Sequence, residues 1–120
     1  MIETALLILT LTADGATRVT LTPVDGPADC AAQAEVVTQI LSEAGTPPLT
    51  ARCGETGLVL SPFEHGLPPS AEVHRYRVEL VGSDGFAIAP LAPGETCRAD
   101  PQAMPAVICA RSGQRVVSDD

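Results

Sequence analysis

Four widely spaced cysteines, Cys30, Cys53, Cys97 and Cys109, constrain this chain more than any other feature of its sequence. None stands in a C-x-x-C pair, so the spacing offers neither a zinc knuckle nor a thioredoxin-type redox motif. An even number at wide intervals in a 120-residue chain predicts two structural disulfides and an oxidising compartment, periplasmic or secreted. The competing reading is a cytoplasmic chain with free thiols. Three pairings are open to four cysteines, and sequence alone does not choose among them. In the local pairing, Cys30–Cys53 ties the start of a helix to the strand after it, and Cys97–Cys109 pins an irregular crossing to the last strand.

Cross-links matter here because the interior has little else of comparable weight. The chain contains no Trp, one Tyr (Tyr76) and two Phe (Phe63, Phe86), so its core must come from Leu, Val, Ile and Ala. Aromatic side chains bury the most surface each, and their scarcity lowers the hydrophobic contribution. One domain is expected at this length. The formal charge of −8, with all seven basic residues Arg, argues against nucleic acid and anionic membranes as partners. The absence of Lys beside abundant Ala, Gly, Pro, Asp and Arg matches high-GC bacterial usage, a compositional association only.

The apolar segment ALLILTL, Ala5–Leu11, is too short to span a bilayer, which takes roughly 20 residues. It also lacks the basic flank of a signal peptide, with Glu3 standing where Lys or Arg belongs. Two readings remain, a mature form whose leader has been replaced by a start Met and a cytoplasmic chain with free cysteines; the cysteine argument alone favours the first.

Periodicity places the elements. Leu7, Leu9 and Leu11 alternate with Ile8, Thr10 and Thr12, Asp14-Gly15 supplies a turn, and Arg18 to Thr22 returns. Apolar residues on both faces of the first strand predict a central place in the sheet. A helix opens at Pro27 or Asp29 and carries the stripe Cys30, Ala34, Val37, Leu41 and Ala44, widened by Val36 and Ile40, before Gly45 and Pro47-Pro48 end it. Leu49 to Cys53 reads as a short strand, Gly54 to Gly57 as a turn, and Leu58 to Leu60 as a further extended piece. Glu72 to Val81 is the clearest later strand, with His74, Tyr76, Val78 and Leu80 on one face and Arg75, Arg77 and Glu79 exposed on the other. Gly82 to Gly85 turns into Phe86–Ala89. A Pro-rich crossing leads to Ala106–Arg111, and the tail to Asp120 reads as frayed.

The fold expected is α+β: a mainly antiparallel sheet of about five to seven strands with one long amphipathic helix on one face and two disulfides.

Catalytic signatures are not found in the sequence. No serine stands in G-x-S-x-G, and neither a Walker pattern nor G-x-G-x-x-G occurs. His65 and His74 have no ligand spacing with any cysteine, so no metal or cofactor is expected. The carboxylates read as surface acids, with Asp14, Asp25, Asp84 and Asp100 in turn roles. The segment suited to recognition is SPFEHGLPPS, Ser61–Ser70, where Phe63 lies between Pro62 and Glu64, with His65 beside them. An aromatic residue on a proline-stiffened loop loses little entropy on docking. Folding of Phe63 back under its own loop is the plainer alternative.

The run TRVTLTPVDGPADC, Thr17–Cys30, and the order of elements resemble the Streptomyces subtilisin inhibitor type, which implies a secreted serine-protease inhibitor. That family has a cysteine in its second strand where this chain has Pro23, and a reactive loop directly after a cysteine where this chain has GETG after Cys53. No functional residue is carried over. The leading expectation is a non-catalytic extracytoplasmic interaction or accessory domain acting through contact with a protein partner, such as a subunit of a larger complex. The third is a small-ligand carrier or enzyme using a pocket between helix and sheet, drawing on His74 and Tyr76.

Overall fold

The computed structural model describes residues 2–64, 67–83 and 85–119. It is an α+β fold in the order β1 (Glu3–Leu11), β2 (Thr17–Pro23), α1 (Pro27–Glu43), β3 (Thr50–Thr56), β4 (Leu58–Leu60), a short 3-10 turn (Pro69–Ala71), β5 (His74–Val81), β6 (Gly85–Pro90), β7 (Ala106–Ser112) and β8 (Val116–Asp119). Six strands form one sheet in the order β3-β1-β2-β7-β5-β6, and β4 pairs with β8 in a separate ribbon. Among the described residues every strand pairing is antiparallel except the contact of β2 with β7 at Arg18 and Arg111.

The first hairpin follows its turn chemistry. Gly15 takes φ 86°, a conformation costly for any residue with a Cβ, and Thr12 N–H closes on Ala16 O at 2.8 Å. β1 lies between β2 and β3, and Ala5 to Leu9 are buried on both faces. The central position expected from its two apolar faces is the observed one.

Those two faces serve different cores. Leu7 and Leu9 join Val19, Leu21, Tyr76, Val78, Phe86, Ala110, Leu58 and Leu60 in the main cluster. This cluster can close because the sheet curls toward a barrel until its outer strands meet. Arg52 of β3 donates from Nη1 to the carbonyls of Gly82 and Gly85 at 3.1 and 3.0 Å. The Phe86 ring lies so near Gly54 that a Cβ there would sit 3.0 Å from Cε2. Here the structure departs from the sequence reading: Gly54 begins no turn, and β3 runs on to Thr56. The glycine is a close approach inside a strand, which periodicity cannot distinguish from a turn signal.

Leu6 and Ile8, on the other face, meet Cys30 together with Val24, Ala34, Val37, Leu41, Ala51 and Cys53. Pro27 occupies the first position of α1, so the helix opens there and not at an Asp29 cap. It ends in a Schellman arrangement, with Thr46 N–H on Leu41 O at 2.9 Å and Gly45 N–H on Ser42 O at 3.1 Å. Gly45 takes φ 81°. The buried stripe is narrower than expected: Ala44 is exposed, and Val36 and Ile40 are 56% and 58% exposed. A 100° step per residue puts those two on the flank beyond Gln33, past the reach of the sheet.

Both disulfides take the local pairing, Cys30–Cys53 and Cys97–Cys109. The first is sunk between helix and sheet, with Cys30 fully buried. The second fixes the crossing between β6 and β7, where Arg75 Nη2 also donates to Glu95 O at 2.8 Å. Arg75 is thus a tether as well as a surface charge. The tail differs from expectation too, because β8 pairs with β4 through Val59↔Ser118 and Leu60↔Val116.

A candidate binding groove between helix and sheet

The helix covers only part of the sheet face on which it lies. In β1 and β2 the residues on that face are Leu6, Ile8 and Thr10 opposite Thr22, Thr20 and Arg18. α1 rests mainly on β1 and β3, leaving the β2 side of that face to form the floor of a groove. Gln33, Val37 and Leu41 line it from the helix, and Leu60, Ser61, Pro62, Phe63 and Gln114 from the opposite side. Its volume is about 730 Å³.

Each wall is pinned separately. On the helix side, Cys30–Cys53 joins α1 to β3 covalently. On the other side Ser61 is paired with Arg115, backbone N–H to O at 2.8 Å and Arg115 N–H to Ser61 Oγ at 2.9 Å. Gln114 then ties that wall to the floor. Its Nε2 donates to Leu21 O at 3.0 Å and to Ser61 O at 2.6 Å, while its Oε1 accepts from Leu21 N–H at 3.0 Å. A side chain thus replaces the neighbouring strand that β2 loses where β7 diverges from it. The backbone carbonyl of Gln114 also accepts from Tyr76 Oη at 2.6 Å.

An alternating row of charges begins at the Arg18 end of the groove. Arg18 Nε is ion-paired with Glu72; Arg111 Nη2 lies 3.6 Å from Glu72 Oε1 and 2.7 Å from Asp14 Oδ2. Glu72, expected on the surface, has a side chain only 2% exposed. Burial of a carboxylate is tolerated where cations meet it, and Arg18 and Arg111 supply them. Glu72 Oε1 and Arg111 Nε have no hydrogen-bond partner among the described residues. At the far end of the row, the Thr12 hydroxyl, then Arg111, hold the Asp14 carboxyl down to about 2.

Of the residues singled out for partner binding, Pro62 and Phe63 line the groove, and Phe63 is 36% exposed. His65 lies outside the described residues. The pocket between helix and sheet exists, but His74 and Tyr76 do not line it. Tyr76 is buried in the main core on the other side of the sheet, and burial pushes its phenol up to about 12. His74 opens β5 opposite Ser112. The polar residues that do line the groove, Thr10, Thr20, Thr22, Arg18, Gln33 and Gln114, were not singled out in the sequence. The parity of β1 and β2 marked the three threonines and Arg18 as one face; nothing marked Gln114.

Among the described residues no group of three or more His, Cys, Asp or Glu is placed to hold a metal ion, and no helix is long and apolar enough to cross a membrane. No protein-family model matches the chain, and no curated protein or solved structure is significantly similar to it.

Proposed function

We propose that this chain is a non-catalytic interaction domain of an oxidising compartment, periplasmic or secreted, that seats a segment of a protein partner in the groove between α1 and β2. The observation that carries this reading is the separate fastening of the two walls, one by Cys30–Cys53 and one by Gln114. A groove fixed before binding costs little ordering when a partner enters. Pro62 and Phe63 on its margin supply a stiff apolar contact. Val36 and Ile40, exposed on the adjoining flank of the helix, extend that apolar surface outward. The two disulfides support the compartment, because such bonds persist where thiols are not kept reduced.

The groove volume favours a second reading, a carrier for a small apolar ligand, since such sites run from roughly 300 to 1,000 Å³. One experiment separates the two. A photocrosslinking side chain is installed at Val37, in the groove, or at exposed Ala87 on β6, and irradiated in the native host's envelope. A protein adduct formed from position 37 and absent from position 87 supports the interaction domain. Equal labelling from both positions, or a stoichiometric lipid or metabolite extracted from the purified protein, overturns it.

A further inference from the structure

We infer that the groove recognises the carboxyl-terminal end of its partner: an extended, apolar peptide whose terminal carboxylate is held by Arg18. This rests on the interaction-domain reading and names the chemistry of the segment.

Within the described residues the Arg18 guanidinium donates only from Nε, to Glu72. Neither of its Nη groups is hydrogen-bonded within the described residues, so the planar fork retains donors for a carboxylate. Arg18 closes one end of a floor that runs through Thr20 to Thr22. The four steps from Arg18 to Thr22 make that floor roughly 13 Å long, the span of about four to five residues of an extended peptide.

The rest of the lining distinguishes a peptide from a hydrocarbon. The hydroxyls of Thr10, Thr20 and Thr22 make no hydrogen bond within the described residues, so the floor offers donors and acceptors beside Leu6 and Ile8. A fatty chain would cover them without partners, and polar groups so buried cost free energy. The amides of a peptide can meet them while its alternate side chains turn toward Val37, Leu41 and Phe63. The remaining charge also selects. At −8 overall the chain disfavours a segment carrying further acidic side chains, so the carboxylate at Arg18 is best the only anion of the peptide.

The test uses the full oxidised chain and a fluorescein-labelled pentapeptide of alanine, valine and leucine, as free acid and as terminal amide, read by fluorescence polarisation. The acid is expected to bind saturably and the amide about tenfold more weakly or worse, since charge-assisted hydrogen bonds are about twice as strong as neutral ones. Arg18→Gln should erase that difference. Arg18→Lys, which keeps a cation beside Glu72 and guards against a folding defect, should retain part of it. Thr20→Val, nearly equal in volume, should weaken acid and amide alike. Decanoate is the competing probe. Equal binding of acid and amide, binding of neither, or saturable binding of decanoate by a chain indifferent to the peptide would each overturn the inference. A position-37 protein adduct in the crosslinking experiment would still uphold the interaction domain in the first two cases.

Discussion

Replacing Gln114 by Ala removes the side chain that serves as β2's missing neighbour. Three hydrogen bonds are lost at once, and they leave Leu21 N–H, Leu21 O and Ser61 O without those partners. Gln114 is only 2% exposed, so water cannot fully replace it without opening the wall. At a net value near 1 kcal/mol per bond, with a further penalty where a buried group stays unpaired, the loss is about 3–4 kcal/mol. Against a total stability of about 5–15 kcal/mol for a domain, that is a large fraction. Urea unfolding followed by far-ultraviolet circular dichroism measures it, because the chain has no Trp to report fluorescence. Two further variants separate hydrogen bonding from volume. Gln114→Met keeps the bulk and should lose nearly as much as Ala. Gln114→Glu faces two carbonyl oxygens with a carboxylate, so it should be worse at pH 7 than at pH 4, where the neutral acid restores one donor. A loss below about 1 kcal/mol for Ala, well under the sum of three bonds, or a Met variant as stable as wild type, would mean that these bonds do not hold the wall to β2.

Three other outcomes are expected. Gly54→Val should destabilise by about 1–3 kcal/mol in the same assay, because even its Cβ would meet the Phe86 ring at 3.0 Å; a neutral result would place that ring elsewhere. Replacing Cys30 and Cys53 together by Ala should cost about 3.4 kcal/mol and the Cys97/Cys109 pair about 2.8 kcal/mol on chain entropy, for separations of 23 and 12 residues; a smaller loss from the longer loop would contradict this ordering. The pH dependence of stability should decline at both extremes. Asp14 is depressed from 3.8 to about 2, so its contribution is present above pH 4 and lost as pH falls through 2; Asp14→Asn should flatten that acid limb. Tyr76 is raised from 10.0 to about 12, so its contribution is intact below pH 10 and lost as pH rises through 12; phenolate absorbance appearing near pH 10 would contradict its burial.

Local chemistry made much of the fold legible. Asp14-Gly15 marked the first hairpin, Pro27 and Gly45 bracketed α1, and the alternation of Tyr76 and Val78 gave β5 its buried face. Long-range geometry was not legible in the same way. Gly54 looked like a turn because the curl of the sheet, which brings Phe86 against it, leaves no trace in neighbouring residues. β8 looked like a tail because its strand partner, β4, lies some sixty residues earlier. The groove was half legible. Pro62 and Phe63 were accessible to reasoning from composition, whereas the pairing of Gln114 with Leu21 needs the divergence of β7 from β2 to exist. His74 and Tyr76 failed as pocket residues for a reason of parity, since their face turns toward the main core and the helix lies on the other side of the sheet.

Both the rigidity of the groove and the proposed compartment depend on the state of the sulfur atoms. Protein drawn from its native host should be alkylated before lysis, digested without reduction and mapped by mass spectrometry. Linked peptides joining Cys30 to Cys53 and Cys97 to Cys109 are predicted, with no alkylated thiol at any of the four positions. Alkylation of Cys30 and Cys53 in the native protein would contradict it, freeing one wall of the groove and removing the reason to place the chain outside the cytosol.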